Sequence, residues 1–401
     1  MSSHAVVHTP VGGELLTRSY RLLLAAIALG AISAFYRFAT GLGGVSNLND
    51  GYPWGIWIAF DVVTGTALGC GGYAVALLVY VLNKGEYHPL VRPAVLTSLL
   101  GYGLAVLAVG IDLGRPWELW KVPLFFWRWT GSPQLEVALC VAAYVLVLAV
   151  ELSPAAFEKW RDSDNPALRS FCASGARMMD RGLVWILALG MLLPTMHQSS
   201  LGTMMLLAGP RLHPLWFTPW LPFLFLVNCV VMGYAIVVIE ASWSARAFGR
   251  QREDAMLAKL SAVALWVAGF WVAFRLLEVA LAGDLGSLAS IAGFFFVLEV
   301  GLHLAAIVLL YPAAARSRPG VQARAAILLV VAGTLFRLNS YWIAFDPGPQ
   351  WSYFPAVPEL LITFGIVALE IALYLWAVRT FPILAGAEAP SGAGAVIEGV
   401  R

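Results

Sequence analysis

The chain has 401 residues, of which 60% are hydrophobic and only 12% are charged, and its formal net charge is +2. Soluble domains carry about 25% charged residues, so this composition excludes an ordinary soluble domain. The net charge says nothing about partners, and we expect no nucleic-acid partner. Backbone polar groups in lipid must be satisfied within the protein, and no run of short alternating strands is visible. The sequence therefore predicts an all-α polytopic membrane protein.

Ten apolar segments follow one another along the chain, each long enough to cross a bilayer, for which about 20 apolar residues suffice. They are 20–38, 53–82, 92–112, 134–152, 178–197, 214–241, 258–282, 287–312, 322–345 and 357–380. The first follows Arg18 and Arg21 and lacks a small-residue cleavage site, so we predict a retained helix rather than a signal peptide. Residues 20–382 form the predicted membrane domain, residues 1–19 form a cytoplasmic tail, and residues 383–401 form a flexible cytoplasmic tail.

The Lys and Arg residues are divided unequally between the two sets of loops. With the N-terminus in the cytoplasm, 18 of the 25 lie on the cytoplasmic side, 5 lie outside, and Arg275 and Arg337 lie inside helices. Basic residues favour the cytoplasmic side, so both termini are predicted to be cytoplasmic. The outer loops are rich in Trp, Tyr, Pro and Gly, as expected where a protein partner docks. These loops are 41–52, 113–133, 198–213 and 346–356.

A short repeat suggests an internal duplication. "GYAVALLV" begins at Gly72 in the second segment, and "GYAIVVIE" begins at Gly233 in the sixth, in the same orientation. Segments two to five and six to nine would then be two four-helix bundles, with the first and tenth helices peripheral.

Asp61 is the most unusual residue of the second segment, because 22 uncharged residues separate it from Lys84. A charged side chain costs about 2.5–3.5 kcal/mol at the centre of a transmembrane helix. No cation lies in the same segment to offset this cost. Intramembrane carboxylates typically carry protons or bind ligands, and we predict such a role for Asp61.

Other polar residues lie near the predicted outer ends of neighbouring segments. Asp112 ends segment three, Glu136 begins segment four, His197 ends segment five, and Tyr102 lies midway along segment three. These side chains could converge with Asp61 near the outer leaflet. Asp112, Glu136 and His197 could instead be interfacial residues in contact with headgroup water.

The remaining intramembrane charges are nearly balanced and predict a packing network. Arg337 is expected to pair with Glu299 or Glu370, and the full group is Arg275, Glu278, Glu299, His303, Arg337 and Glu370. Only His303 among the six histidines is predicted to be deep, whereas a bis-haem cytochrome needs facing pairs, so the sequence predicts no haem. The four cysteines are scattered singly, which predicts no iron–sulfur cluster and no metal site.

Several long motifs carry a resemblance to a known family. They are "GVSNLNDGYPWGIWIAFD", "YHPLVRPAVLTSLLGY", "IDLGRPW", "LLPTMHQSSLG", "HPLW" and "YFPAVPELLITFG". From about Val45 to Pro382 the chain resembles the HybB-type membrane subunits of respiratory NiFe hydrogenases, within the NrfD/polysulfide-reductase membrane-subunit family.

The resemblance implies a ten-helix, haem-free subunit of the bacterial inner membrane that binds menaquinone or ubiquinone. Its implied partners are a periplasmic iron–sulfur ferredoxin-like protein and the large and small subunits of a NiFe hydrogenase, so that electrons from H2 reach quinone near the outer face. The proton-active positions carried over by motif are Asp61, Arg92, Tyr102, Glu136 and Glu240. The residues expected to contact quinone are Trp54, Tyr102, Asp112 and His197. The resemblance assigns no role to His303.

Proton uptake has two candidate routes in this sequence. The route that we favour runs from the cytoplasm through Glu240, Arg92, Tyr102 and Glu136 to Asp61. A shorter route would run from outer water through Asp112 and His197. Asp61 would donate protons to quinone in either case.

Three other functions remain open. The chain could be the quinol-oxidising anchor of a sulfur-compound reductase. It could be an ion transporter without a redox role, although such folds usually show broken helices and none is visible in the sequence. It could also be a passive anchor for a peripheral enzyme, which would need neither Asp61 nor Glu136.

Overall fold

The structure is a computed structural model that describes residues 8–385, apart from the side chain of residue 180. Ten helices in this range are long and apolar enough to cross a membrane, which confirms the predicted all-α polytopic fold. In chain order, α1 to α10 are Arg18–Thr40, Trp57–Val81, Val91–Asp112, Pro133–Trp160, Pro166–Leu206, Leu221–Ala247, Asp254–Ala282, Ile291–Leu310, Pro319–Ile343 and Val357–Thr380.

The helices alternate in direction, so their connections lie at two opposite faces. We call one the aromatic face, which is formed by loops 41–56, 113–132, 207–220, 283–290 and 344–356. We call the other the basic face, which is formed by loops 82–90, 161–165, 248–253 and 311–318.

Both ends of the described chain meet at the basic face. The two-residue strand β1, His8–Thr9, pairs antiparallel with β2, Leu384–Ala385. Ile383, Leu384 and Ala385, the first three residues of the predicted flexible tail, are buried. The rest of the two predicted tails, residues 1–7 and 386–401, lies outside the described residues.

Packing divides the helices as the repeat predicts. Helices α2 to α5 contact one another in sequence, α6 to α9 do the same, and α1 packs mainly against α10. The two bundles meet where α2 and α5 pack against α6. At the crossing of α2 and α6, a Cβ atom on Gly233 would lie only 2.6 Å from the carbonyl oxygen of Cys70. Gly233 begins the repeated word of α6, and the matching word of α2 begins at Gly72, two residues after Cys70. The two repeated words therefore lie at or next to this crossing.

Helix α2 is irregular, which the sequence analysis missed. It begins and ends with π-helical turns, Trp57–Val62 and Leu77–Val81, and its α-helical parts are Gly65–Leu68 and Gly71–Ala76. Helix α9 also ends in a π-helical turn, Asn339–Ile343. Such turns leave backbone groups free for other partners and are frequent at functional sites.

Helix α5 is much longer than predicted. It begins after Asn165, whose side-chain oxygen accepts from the backbone N–H groups of Ala167 and Leu168, and it continues to Leu206. Residues 198–206 are therefore helical rather than part of an outer loop. His197 consequently lies inside the helix, and the prediction that it ends this segment is wrong.

Candidate functional site

Asp61 is held within the membrane domain by α10. Its side chain lies in the first π-helical turn of α2 and is only 6% exposed. The Thr363 hydroxyl donates a hydrogen bond of 2.7 Å to Asp61 Oδ2. This contact joins the beginnings of α2 and α10, both near the aromatic face.

Arg337 does not form the predicted ion pair with Glu299 or Glu370. Its guanidinium is fully buried and donates to the carbonyl oxygens of Val63 and Phe225 at 2.9 Å and to Asn228 Oδ1 at 3.0 Å. All three acceptors are neutral. Val63 directly follows the π-helical turn, so the irregularity of α2 supplies one of the oxygens that stabilise this cation.

Tyr102 and His197 are the two predicted site residues that touch. The Tyr102 hydroxyl lies 2.8 Å from His197 Nε2, and His197 Nδ1 lies 2.9 Å from the carbonyl oxygen of Leu193. Because the carbonyl can only accept, Nδ1 carries the proton and Nε2 accepts from Tyr102. The Gln198 amide lies 3.0 Å from His197 Nε2 and 3.1 Å from Thr66 Oγ1, and Gln198 and His197 are both fully buried.

Glu359 ties two loops of the aromatic face together. It accepts hydrogen bonds from the backbone N–H of Asn47 at 2.9 Å and from the Tyr353 hydroxyl at 2.7 Å. Burial and the neighbouring carboxylate raise the pKa of Tyr353 well above that of an ordinary tyrosine, so the hydroxyl remains a donor. Nearby, the Trp54 indole N–H donates to the carbonyl oxygen of Tyr341 at 3.2 Å.

The other predicted site residues are dispersed. Glu240 accepts from the Tyr374 hydroxyl at 2.5 Å near the basic face. Arg92, also near that face, pairs with Glu158, with a closest N–O distance of 2.5 Å. Half-buried Glu136 lies in the first turn of α4 at the opposite end.

Asp112 lies near the aromatic face with one buried oxygen, Oδ1, that has no hydrogen-bond partner among the described residues. The Arg37 guanidinium beside it donates to the carbonyl oxygens of Ile111 and Leu113 instead. Asp61, Asp112, Glu136 and His197 are therefore not joined into one hydrogen-bonded cluster.

An apolar cavity of about 450 Å³ lies within the first bundle near the aromatic face. Ile58 and Val62 of α2, which precede and follow Asp61 in the sequence, line the cavity, and Asp61 itself does not. Trp120 belongs to the loop that covers the cavity. The other lining residues include Ala105, Val106, Val109, Val137, Val141 and Leu201. The cavity has the size of typical small-molecule sites, which are about 300–1,000 Å³ and mostly apolar.

The residues predicted to contact quinone do not line this cavity. Tyr102 and His197 lie three and four residues closer to the middle of the membrane domain than the lining residues Ala105 and Leu201. At 1.5 Å per residue this offset is roughly 5 Å. Their hydrogen-bonded pair therefore lies in the layer next to the cavity.

A second cavity, of about 610 Å³, occupies the opposite half of the same bundle. It is lined by Arg92 and by Glu151, a half-buried residue of α4 that the sequence analysis did not single out. The signal was present, because Glu151 is a carboxylate inside a predicted segment. Between this cavity and His197, the Tyr73 hydroxyl lies 2.8 Å from Thr195 Oγ1.

The second bundle contains part of the predicted packing network. Arg275 pairs with Glu278 one turn along α7, and its Nη2 lies 3.9 Å from Glu299 Oε1. His303 is fully buried and stacks on Trp271, with ring centroids 4.4 Å apart. Among residues 8–385, no group of three His, Cys, Asp or Glu side chains could hold a metal ion.

Comparison with known proteins assigns this arrangement to a family. Residues 44–340 match the profile of the family described as polysulphide reductase, NrfD. This chain belongs to the NrfD family. The match includes α2 to α8 and extends through Arg337, so the first bundle, its 450 Å³ cavity and the buried arginine lie within the family region.

Three similar proteins are named as subunits of different redox complexes. A probable Ni/Fe-hydrogenase 2 b-type cytochrome subunit of Escherichia coli (strain K12) is 38% identical over 386 residues, which cover 94% of each chain. The menaquinone reductase integral membrane subunit of Nitratidesulfovibrio vulgaris is 30% identical over 227 residues, covering 55% of this chain and 52% of that protein. A selenate reductase component of Mesobacillus selenatarsenatis is 25% identical over 266 residues, covering 61% of each.

Proposed function

We propose that this NrfD-family chain is the quinone-binding membrane subunit of a respiratory complex that passes electrons from a NiFe hydrogenase to menaquinone or ubiquinone. The observation that carries the proposal is the 450 Å³ apolar cavity, which is lined by Ile58 and Val62 of the same turn of α2 that contains Asp61. A quinone ring is apolar except at its two carbonyl oxygens. The cavity therefore suits the ring, and Asp61, which does not line the cavity but lies in the same turn of α2 as Ile58 and Val62, is the proton donor that we propose.

The electrons come, in this proposal, from an iron–sulfur ferredoxin-like subunit docked on the aromatic face. The cavity lies directly below this face, under the loop that contains Trp120. Trp117, Trp127 and Trp129 of the same loop are exposed, and aromatic side chains are enriched at protein interfaces. The large and small hydrogenase subunits would bind the ferredoxin-like subunit on the same side of the membrane, which we assign to the periplasm.

The name of the Escherichia coli relative implies b-type haem, but the buried histidines of this chain do not fit it. His197 has both ring nitrogens engaged, at Leu193 and Tyr102. The ring of His303 lies against Trp271, and its Nδ1 contacts the carbonyl oxygen of Glu299. The two histidines belong to different bundles, so we propose a haem-free subunit.

Filling the cavity tests this function. Val62→Trp would place an indole where the quinone ring binds, so the Michaelis constant for quinone should rise by tenfold or more in H2-driven assays of the purified complex. Leu146→Trp is the matched control, because Leu146 is 69% exposed on the lipid-facing side of α4. Unchanged quinone kinetics in Val62→Trp would contradict the assignment of this cavity.

A second function is supported by the family description itself. In this second function, quinol binds in the same cavity and is oxidised there, and its electrons pass to a polysulphide-type or selenate-type reductase. The matched profile and one relative support this function. The copurifying catalytic partner distinguishes the two, since a nickel–iron protein supports the first and a reductase supports the second.

A further inference from the structure

Helix α10 presents a column of polar side chains toward the first bundle and α6. Thr363, Glu370 and Tyr374 recur at intervals of seven and four residues, which places them along one face of a helix. Thr363 donates to Asp61 at 2.7 Å, and Tyr374 donates to Glu240 at 2.5 Å. The column therefore connects the carboxylate near the aromatic face with the one near the basic face.

Glu370 occupies the middle of this column. A Cβ atom on Gly101 of α3 would lie 3.5 Å from Glu370 Oε1, so a glycine leaves room for the carboxylate at mid-membrane depth. Among the described residues, no hydrogen bond or ion pair to the Glu370 side chain is formed. A carboxyl group at this depth without a protein partner is free to accept and release a proton.

The space between Glu370 and Asp61 is bordered by glycines. Gly65 and Gly69 follow Asp61 at intervals of four residues on α2, and a Cβ on Gly101 would approach Gly69 Cα at 3.4 Å and the Gly65 carbonyl oxygen at 3.5 Å. A Cβ on Gly65 would meet only a carbonyl oxygen at 3.7 Å. Two positions of α2 between the depths of Asp61 and Glu370 therefore carry no side chain.

We propose that Glu370 is a proton-relay residue that carries protons from Glu240 to Asp61. The inference rests on the proposed function. Each quinone takes two electrons from the iron–sulfur partner and two protons from the basic face, and becomes quinol. Along α10, Tyr374 and Glu370 are about 6 Å apart, and Glu370 and Thr363 about 10 Å, so the longer step requires water or side-chain rotation.

This route replaces the one favoured by the sequence. Arg92 is engaged by Glu158, and Tyr102 donates to His197 rather than to Asp61. Glu240 opens toward the basic face through a small cavity, of about 30 Å³, that it lines with Arg250 and Glu253. The route along α10 therefore begins at Glu240 beside the basic face, passes the carboxyl group of Glu370 at mid-depth, and ends at Asp61.

Glu151 provides a matched control. It is another glutamate in the half of the domain next to the basic face, and it lines the larger cavity of the first bundle. Its oxygen lies near Gly190 of α5, since a Cβ there would be 2.7 Å from Glu151 Oε1. No described contact connects Glu151 to α10 or Asp61, so the relay does not require it.

The experiment uses the intact complex in proteoliposomes that contain quinone, with H2 as donor and a potential-sensitive dye. Glu370→Gln preserves shape but cannot carry a proton, so the rates of quinone turnover and of potential formation should fall by about 100-fold or more, as for other lost proton-transfer groups. Glu370→Asp should recover a substantial part of both, and Glu151→Gln should match the native complex. Unfolding temperatures of all variants are measured in parallel.

The outcomes separate the relay from the proposed function. No quinone reduction by the native complex would contradict the proposed function itself. Quinone reduction without a potential in the native complex, or native behaviour of Glu370→Gln, would overturn the relay alone. Loss in Glu151→Gln with none in Glu370→Gln would place the route in the first bundle. Equal losses in Glu370→Gln and Glu370→Asp with lowered unfolding temperatures would assign Glu370 a structural role and also overturn the relay.

Discussion

At the scale of single residues, Arg337 shows how a buried cation is stabilised without a carboxylate partner. Burying an ion is expensive unless its hydrogen-bonding capacity is satisfied. Here the acceptors are two carbonyl oxygens and one amide oxygen, contributed by α2 and α6. The sequence could not predict this, because opposite charges suggested an ion pair and the irregular backbone after Asp61 was not visible.

Replacing Arg337 with Lys keeps the charge but loses the planar group of donors that reaches three oxygens. Each buried acceptor left unsatisfied costs about 1–3 kcal/mol, so Arg337→Lys should clearly lower the unfolding temperature of the purified protein. Arg324→Lys is the control, because the Arg324 bond to Gly320 is solvent-exposed and local to its helix. Equal unfolding temperatures for the two variants would contradict a structural role for the Arg337 bonds.

Asp61 allows a separate prediction about activity. Asp61→Asn keeps the size of the side chain but removes its titratable carboxyl group, so H2-driven quinone reduction should fall by about 100-fold to 10,000-fold. The Michaelis constant for quinone should change little. Thr363→Val, which removes only the donor to Asp61, should reduce the rate much less. Full activity of Asp61→Asn would show that quinone is protonated by another group.

At the scale of helices, α1 and α10 are joined by a pair of glycines. A Cβ on Gly30 would lie 2.8 Å from Gly365 Cα, and one on Gly365 would lie 2.9 Å from Gly30 Cα. Small residues let membrane helices approach closely, which favours packing and backbone contacts. This contact holds α1 against α10, the two helices that belong to neither of the four-helix bundles.

Gly30→Leu should separate α1 from α10. No rotamer removes a Cβ atom that meets backbone, so the substitution should cost about 1–3 kcal/mol, as overpacking typically does. A lowered unfolding temperature in detergent would show this loss. Gly103→Leu is the control, because nothing lies within 4 Å of a Cβ at that position. If both variants unfold at the native temperature, the close contact does not contribute to stability.

The number of helices, their alternating direction along the chain and their grouping into bundles could be predicted from the hydrophobic segments and the repeated word. The ends of α5 could not. Polar residues after His197 interrupt the apolar pattern and suggested a loop. In the structure, the hydroxyls of Ser199 and Ser200 donate to carbonyl oxygens one turn earlier, at 2.9 and 3.0 Å. The helix satisfies its own polar side chains, so it continues through a stretch that hydropathy alone ends.

At the scale of the molecule, the assignment of sides rests on charge. Reporter fusions at Gly209, in a loop of the aromatic face, and at Gly249, in a loop of the basic face, should give opposite signals. The fusion at Gly249 should report the cytoplasm, because basic loops remain there. The same signal from both positions would contradict the ten-helix arrangement, and inverted signals would contradict the proposed docking side.

The proximity of α1 and α10 also constrains the order of assembly. Helix α1 is made before the other nine described helices, but the helix that covers it is the last of the ten to be made. Until α10 is made, α1 therefore lacks its main packing partner, and even in the finished fold only Gly30, Ser33 and Arg37 of α1 are buried. The first of the ten described helices thus gains its main helix contact only after the tenth is made, next to the pairing of β1 with β2.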